Sequence, residues 1–238
     1  MTQDLLGPFR EAPDESAIVL DVDGTLAPIV ARPELAVVPE TTRTELTRLA
    51  KRYLVVACVS GRTGEDARRL VGVEGIQYVG NHGLELVPEA ARFASLIAAF
   101  RDTVGLEVED KGLTLAYHFR EAPDEHTALA ELERVAKRAQ ENGLAPRWGR
   151  KVLEIRPPVA ADKGTAVRAL LAEAGATRAL YAGDDATDLD AFEGLATAGL
   201  EQFVRVAVVS SEGPPELAKM ADLLVKSPRE MAGLLASL

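Results

Sequence analysis

Two aspartates, Asp21 and Asp23, directly follow the short apolar run 17–20. The run is short and β-branched, which predicts a buried strand rather than a helix. Alternation along a strand sends both aspartates to one side, where their like charges require a cation or a shared proton between them. Gly24 then allows a sharp exit from the sheet. Paired aspartates also cap helices and occur in turns, but this context predicts carboxylate chemistry at a strand end.

Phosphoryl transfer is the chemistry that this aspartate pair serves best. Asp21 is placed to attack a phosphorus atom, and Asp23 to protonate the leaving alcohol and later activate water. The transferred oxygens also need neutralising cations and donors. Lys163 can neutralise the phosphate, and Ser60, at the end of a second apolar run, can donate its hydroxyl. The alternatives are a solvated lysine at a helix start and a serine that only caps a helix.

Three carboxylates, Asp184, Asp185 and Asp188, follow another apolar run. They offer the hard oxygen ligands that suit Mg²⁺, so the expected cofactor is Mg²⁺. A helix-capping cluster is the first alternative. A calcium EF-hand loop is the second, but its glycine and closing glutamate are missing. No GxGxxG motif is present, so a nicotinamide or flavin cofactor is not expected.

The order of predicted elements divides the chain into a core and an insertion. Strands and helices alternate at both ends of the chain, which predicts a parallel sheet with helices on both faces. The middle of the chain is predicted to form a helix, a hairpin, a second helix and a second hairpin. The fold class is therefore α/β: a Rossmann-like core of residues 1–85 and 160–238, with an inserted α+β domain of residues 86–159.

These predictions assign bounds to each element. The predicted core strands are 17–20, 54–59, 77–79, 179–182 and 204–209, and the predicted hairpin strands are 106–109, 113–119, 144–148 and 152–156. The predicted helices are 39–51, 64–70, 89–103, 124–142, 163–172, 189–195 and 214–220.

Composition excludes several classes of function. The 238 residues carry a formal net charge of -10, so no broad basic surface for nucleic acid or anionic membranes is expected. Cys58 is the only cysteine, which leaves no disulfide within the chain and indicates a reducing compartment. Neither a signal pattern nor an apolar run of about 18 residues is present. We expect a cytoplasmic monomer that acts on a small molecule.

Together the motifs resemble the haloacid-dehalogenase superfamily of aspartate-nucleophile phosphatases, in the subgroup with an α+β cap. More narrowly, the chain resembles trehalose-6-phosphate phosphatases from about residue 17 to 225. The motifs that carry this resemblance are Asp21-Val22-Asp23-Gly24-Thr25, Ser60-Gly61-Arg62, Gly80-Asn81-His82-Gly83, Lys111 with His118-Phe119-Arg120, Glu154-Ile155-Arg156-Pro157, Lys163, and Gly183-Asp184-Asp185-Ala186-Thr187-Asp188.

The resemblance implies Mg²⁺-dependent hydrolysis of trehalose 6-phosphate through an aspartyl-phosphate. It implies that Asp21 is the nucleophile, that Asp23 is the acid and base, and that Ser60 and Lys163 bind the phosphoryl group. The implied metal ligands are the Asp21 carboxylate, the Asp23 backbone carbonyl and Asp184, with Asp185 or Asp188 nearby. The implied substrate-binding residues are Arg62, Asn81, His82, Glu109, Lys111, His118, Arg120, Arg150 and Glu154.

Several alternatives stay open from the sequence. His118 can be a structural hairpin histidine, Arg120 can pair with Glu121 or Glu109, and Arg62 can serve geometry rather than contact. Another sugar phosphate, such as sucrose phosphate or mannosyl-phosphoglycerate, is the alternative substrate. A phosphosugar mutase and a phosphosugar-binding regulator are the alternatives from other classes.

Overall fold

The computed structural model describes residues 4–30, 32–104, 107–149, 151–210 and 213–238, apart from the side chains of 102–104. The chain forms two compact units. The core unit comprises Met1–Gly83 and Ala161–Leu238, and the inserted unit comprises Leu84–Ala160. Among the described residues, none of the helices has the length and apolar character that a membrane span requires.

The regular elements have the following bounds. The strands are β1 Ser16–Leu20, β2 Val55–Val59, β3 Gln77–Val79, β4 Glu109–Asp110, β5 Leu115–His118, β6 Ala145–Gly149, β7 Val152–Arg156, β8 Arg178–Gly183, β9 Gln202–Val208 and β10 Leu223–Val225. The α-helices are α1 Gly7–Glu11, α2 Glu40–Ala50, α3 Gly64–Val71, α4 Ala94–Val104, α5 Glu125–Glu141, α6 Lys163–Ala174, α7 Thr187–Ala196, α8 Pro215–Met220 and α9 Pro228–Ala236.

A parallel sheet of six strands, in the order β10-β9-β8-β1-β2-β3, forms the centre of the core unit. β1 pairs with β8 on one side and β2 on the other. Its side chains alternate between two hydrophobic clusters. Ile18 and Leu20 pack with side chains of α2 and α9, whereas Ala17 and Val19 pack with side chains of α6 and α7. Helices therefore cover both faces, and the predicted fold class is confirmed.

Helices α6 and α7 approach each other closely because glycines lie where they meet. A Cβ atom on Gly194 would lie 2.5 Å from the carbonyl oxygen of Gly164, and a Cβ on Gly164 would overlap the carbonyl of Asp190. Neither backbone position can move aside like a flexible side chain. This contact sets the distance between the first residue of α6, Lys163, and the first turn of α7.

The inserted unit is an antiparallel sheet in the order β4-β5-β7-β6, with α4 and α5 on one face. Leu115, Tyr117, Leu153 and Ile155 point from β5 and β7 into the cluster shared with these helices. The alternate residues of both strands lie on the opposite face of the sheet. The predicted α+β insertion is confirmed, with its charged strand residues on the face that the helices do not cover.

Three short elements, α1, β10 and α9, were not predicted from the sequence. β10 has three residues, which is too few for alternation to be visible. The sequence Ser227-Pro228 is a capping signal for α9. In the structure, Ser227 Oγ accepts the N–H of Glu230 at 3.2 Å, and Pro228 takes the first helical position. The helix predicted for 89–103 begins instead as the 3₁₀ turn Ala90–Phe93.

We expect Gly194→Ala to destabilise the protein by about 1–3 kcal/mol, because the added methyl group overpacks the contact between α6 and α7. The matched control is Gly233→Ala in α9, where nothing lies within 4 Å of the added Cβ. That control should stabilise by roughly 0.5–1 kcal/mol through helix propensity. Urea unfolding measures both changes, and equal effects of the two substitutions would contradict the assigned contact.

Candidate active site

The predicted catalytic residues of the core unit lie at the carboxyl ends of neighbouring strands. Asp21 follows β1, Ser60 follows β2, and Asp184 follows β8. β1 stands between β2 and β8 in the sheet, so these three strand ends are adjacent. After β1, the chain adds β2 and β3 on one side of β1, and it later adds β8, β9 and β10 on the other side. This is the reversal point at which open α/β sheets bind ligands.

Lys163 joins two of the buried aspartates directly. Its Nζ donates to Asp21 Oδ1 and to Asp188 Oδ1, each at 2.7 Å, and its side chain is 3% exposed. Burial alone would lower the pKa of Lys163, but the charges of Asp188 and Asp21 outweigh burial and hold that pKa above its ordinary value. Lys163 is therefore a fixed positive charge beside Asp21.

Asp188 is the residue on which this cluster converges. Its Oδ1 accepts from Lys163 Nζ and from the hydroxyl of Tyr181 at 2.6 Å. Its Oδ2 accepts the backbone N–H groups of Asp184 and Asp185, both at 2.9 Å. A carboxylate has about four lone-pair sites, and these four bonds use all of them. Asp188 thus orients Lys163 and the chain at Asp184.

Carboxylate oxygens of Asp21, Asp184 and Asp188 all lie within 4.8 Å of one another. Burial, with the neighbouring carboxylates, raises the pKa of Asp184 from 3.8 to about 9. Burial also raises the pKa of Asp21 to about 7, against the lowering effect of Lys163. In the described part of the chain, no hydrogen-bond donor reaches the buried Asp184 Oδ1. An unpaired carboxylate oxygen among clustered acids fits a hard divalent cation.

Two glycines make room for these carboxylates. Gly24 has a φ of 86°, which favours glycine, and a Cβ at this position would overlap the Asp184 carboxyl group. A Cβ on Gly183 would overlap the side chain of Asp188. The glycines of the two motifs therefore allow the acidic groups to approach the backbone.

Asp23 pairs with a different cation. Arg62 Nε donates to Asp23 Oδ2 at 2.6 Å, and Arg62 Nη2 donates to Asp23 Oδ1 at 2.7 Å. The sequence predicted a cation or a shared proton between Asp21 and Asp23; among the described residues, Asp21 bonds Lys163 and Asp23 bonds Arg62. The reason is that β1 ends at Leu20, so strand alternation does not govern the two side chains.

Ser60, Asn81 and His82 form a hydrogen-bonded corner beside Arg62. Ser60 Oγ accepts the N–H of Arg62 at 3.2 Å, and its carbonyl accepts the N–H of His82 at 2.9 Å. Asn81 and His82 adopt φ values of 51° and 53°, a left-handed backbone that few residues other than glycine adopt. A Cβ on Gly61 would lie 2.6 Å from His82 Nε2, so the ring packs against that glycine.

Three of the residues predicted to bind substrate in the inserted unit, Glu109, His118 and Glu154, lie on the sheet face away from its helices. Glu109 accepts from His118 Nε2 at 2.7 Å, with Lys111 Nζ at 3.7 Å. Glu154, only 6% exposed, accepts from Thr114 Oγ1 at 3.1 Å. Arg120 is exposed. Arg150, also predicted to bind substrate, lies outside the described residues.

Sequence reasoning missed two polar groups that orient site residues. Tyr181 lies in the apolar strand β8, and its buried hydroxyl donates to Asp188. Thr114 is fully buried and donates to Glu154. The available signal was a hydroxyl inside an apolar run, because a buried hydroxyl needs a hydrogen-bond partner. Asp185, predicted beside the metal, is half-buried, and its Oδ1 accepts the N–H of Ala186 at 2.6 Å.

Comparison of the sequence with known families finds one described as trehalose-phosphatase, which matches residues 19–94 and 93–227. A probable trehalose-phosphate phosphatase of Sinorhizobium fredii is 32% identical over 252 residues, covering 99% of this chain and 92% of the relative. An uncharacterized glycosyl hydrolase of Mycobacterium tuberculosis is 37% identical over 215 residues, covering 79% of this chain and 16% of that relative. Probable trehalose-phosphate phosphatase 4 of Oryza sativa subsp. japonica is 35% identical over 206 residues, covering 76% of this chain.

The chain spans only part of several curated relatives, from 16% of the mycobacterial protein to 55% of the Oryza sativa protein. Among solved structures, a trehalose-6-phosphate phosphatase related protein has a TM-score of 0.75 at 26% identity and covers 93% of this chain and 96% of its own. The C-terminal domain of trehalose-6-phosphate phosphatase from C. albicans has a TM-score of 0.71 at 23% identity, covering 98% of this chain and 96% of its own, which shows the same fold.

We expect the metal-free protein to lose stability as the pH rises from about 4 to 9. The pKa of Asp184 is raised from 3.8 to about 9 on folding. Over this interval the folded protein holds a proton that the unfolded chain releases, so each rise in pH favours unfolding. Asp184→Asn, which does not titrate, should flatten the dependence.

Urea unfolding in EDTA across this pH range measures the effect. Asp185→Asn is the matched control, because Asp185 is half-buried and its charge raises the pKa of Asp184 less than burial and the charges of Asp21 and Asp188 do. This variant should keep most of the wild-type dependence. The same pH dependence in Asp184→Asn and wild type would contradict the assignment.

Proposed function

The chain belongs to the trehalose-phosphatase family, and from this premise we propose that it hydrolyses trehalose 6-phosphate to trehalose and phosphate. The observation that carries the proposal is the buried group formed by Asp21, Lys163, Asp184 and Asp188 at the end of the central strands. It combines a nucleophile, a fixed positive charge and a place for a divalent cation. These are the requirements of phosphoryl transfer through an aspartate.

Asp21 acts as the nucleophile in the proposed reaction. One of its carboxylate oxygens attacks the phosphorus atom, the bond to the sugar oxygen breaks, and an aspartyl-phosphate forms. Lys163, 2.7 Å from Asp21 Oδ1, favours the charged carboxylate and neutralises the transferred oxygens. Water then attacks the phosphorus atom, which releases inorganic phosphate and restores Asp21.

Asp23 transfers protons on both sides of this intermediate. It protonates the sugar oxygen as the first bond breaks, and it takes a proton from the attacking water in the second step. Its side chain is 34% exposed, whereas that of Asp21 is 6% exposed. The more accessible of the two aspartates is therefore the one proposed to exchange protons with the leaving alcohol and with water. Ser60, with Lys163, is proposed to bind the phosphoryl oxygens.

The donor set fits Mg²⁺ as the cofactor. The proposed ligands are the carboxylates of Asp21 and Asp184 and the backbone carbonyl of Asp23. Asp188, whose lone pairs are already used, is proposed to support Asp184 through the hydrogen bond from its backbone N–H, and the half-buried Asp185 is proposed to lie near the metal. Mg²⁺ bound by these residues would neutralise charge on the phosphoryl oxygens.

The inserted unit is proposed to act as the cap that selects the sugar. Its uncovered sheet face combines carboxylates with cations, and sugar hydroxyls both donate and accept hydrogen bonds. The proposed contacts come from Glu109, Lys111, His118, Arg120, Arg150 and Glu154. Asn81 and His82 are the proposed substrate-side residues of the core unit.

The proposal also includes the setting in which the protein works. We propose a cytoplasmic monomer whose partner is the sugar phosphate, without nucleic-acid or membrane partners. The net charge of -10 supports the absence of nucleic-acid and membrane partners, because a strongly acidic chain is repelled by phosphate polymers and anionic lipid surfaces.

Phosphate release across a panel of sugar phosphates tests the function. We expect Mg²⁺-dependent release from trehalose 6-phosphate in preference to sucrose 6-phosphate and mannosyl-phosphoglycerate, with EDTA abolishing it. Asp21→Asn should lower kcat at least about 10³-fold, because it removes the nucleophile. Tenfold faster release from another phosphate would replace the substrate, and an active Asp21→Asn variant would contradict the mechanism.

Glu154→Ala tests the selection of the sugar by the inserted unit. Losing a charged hydrogen-bond acceptor should raise KM for trehalose 6-phosphate by about 10–100-fold, while kcat for 4-nitrophenyl phosphate, which lacks the sugar, stays unchanged. Glu133→Ala, an exposed position on α5, is the control and should resemble wild type. A loss shared equally by both substrates would count against a contact to the sugar.

A further inference from the structure

The pair of Arg62 and Asp23 connects the turn after β2 with the turn after β1. The guanidinium meets both carboxylate oxygens, at 2.6 and 2.7 Å, in two parallel charge-assisted hydrogen bonds. The side chain of Arg62 is 15% exposed. Two parallel bonds fix the plane of a carboxylate, which a single bond leaves free to rotate.

Arg62 is itself held at several points. Its Nη2 also donates to the carbonyl of Pro33 at 2.9 Å. Its backbone N–H donates to Ser60 Oγ at 3.2 Å, and its carbonyl accepts the N–H of Asn81 at 2.7 Å. The guanidinium that orients Asp23 is thus tied to the corner that carries the proposed phosphoryl-binding serine.

This arrangement leaves Asp23 able to transfer protons. Each carboxylate oxygen has two lone pairs, and Arg62 occupies one on each. The second lone pair of either oxygen can take or hold the proton. We propose that Arg62 is a positioning residue, which acts on the reaction by orienting Asp23 rather than by binding the sugar; this rests on the function proposed above.

The experiment compares three phosphates that differ in sugar and in leaving group. Trehalose 6-phosphate and glycerol 2-phosphate both release an alcohol, whose oxygen must be protonated as it leaves. The third, 4-nitrophenyl phosphate, releases 4-nitrophenolate, which leaves without a proton. Arg62→Lys keeps the charge and loses the planar fork. We expect kcat/KM to fall about 10–100-fold for both alkyl phosphates and less than about 3-fold for 4-nitrophenyl phosphate.

Arg69→Lys is the matched control, because Arg69 is 73% exposed and pairs with Asp66 on α3. It should leave all three reactions at wild-type rates. KM for trehalose 6-phosphate should stay within about 2-fold in Arg62→Lys, since the loss is in kcat. In an Asp23→Asn background, Arg62→Lys should cause no further loss of activity, because a positioning residue has nothing left to position.

Four results would overturn the inference. A raised KM for trehalose 6-phosphate with normal hydrolysis of glycerol 2-phosphate would assign Arg62 to the sugar. Equal losses on all three phosphates would assign it to the fold, as would additive losses in the double variant. A wild-type protein that releases phosphate from none of them refutes the proposed function instead, whereas an active wild type with an unchanged Arg62→Lys variant refutes only this inference.

Discussion

The burial of Lys163 between two aspartates is the constraint on which the rest of the core unit depends. An unpaired ammonium or carboxylate withdrawn from water costs several kcal/mol, so Lys163, Asp21 and Asp188 each need the others. Even so, three clustered carboxylates face one ammonium. Burial and this excess of negative charge raise the pKa of Asp184. The folded site therefore gathers more acidic groups than its one ammonium can balance.

Glycines in the surrounding backbone allow the charged side chains of the site to lie close together. Lys163 and Asp188 lie 25 residues apart in the chain, and the glycines between α6 and α7 allow their side chains to meet. Gly24 and Gly183 bring the strand ends equally close to the acidic groups. A side chain at any of these positions would separate charges that cannot stand alone. Stability and the proposed activity consequently depend on the same contacts.

Much of this could be predicted from the sequence, since buried parallel strands are continuous apolar runs and their polar ends mark the site. The fold class followed from that order, and so did the positions of Asp21 and Lys163. The pairing of Arg62 with Asp23 did not, because it depends on rotamers across 39 residues of chain. The hydroxyl of Tyr181 was hidden by its apolar strand, and β10 was too short for its period to show.

The two aspartates of the opening motif are similar in sequence and different in surroundings. Asp21 is buried, and its Oδ1 accepts from an ammonium that also donates to Asp188, which leaves its second oxygen for the proposed attack. Asp23 is more exposed, and the guanidinium of Arg62 bonds both of its carboxylate oxygens, which fixes the plane of the carboxylate. A point charge suits the proposed nucleophile, because it favours the anion without fixing its plane, and a planar fork suits the proposed proton carrier. In the proposed mechanism, the choice of lysine for one aspartate and arginine for the other would separate attack from proton transfer.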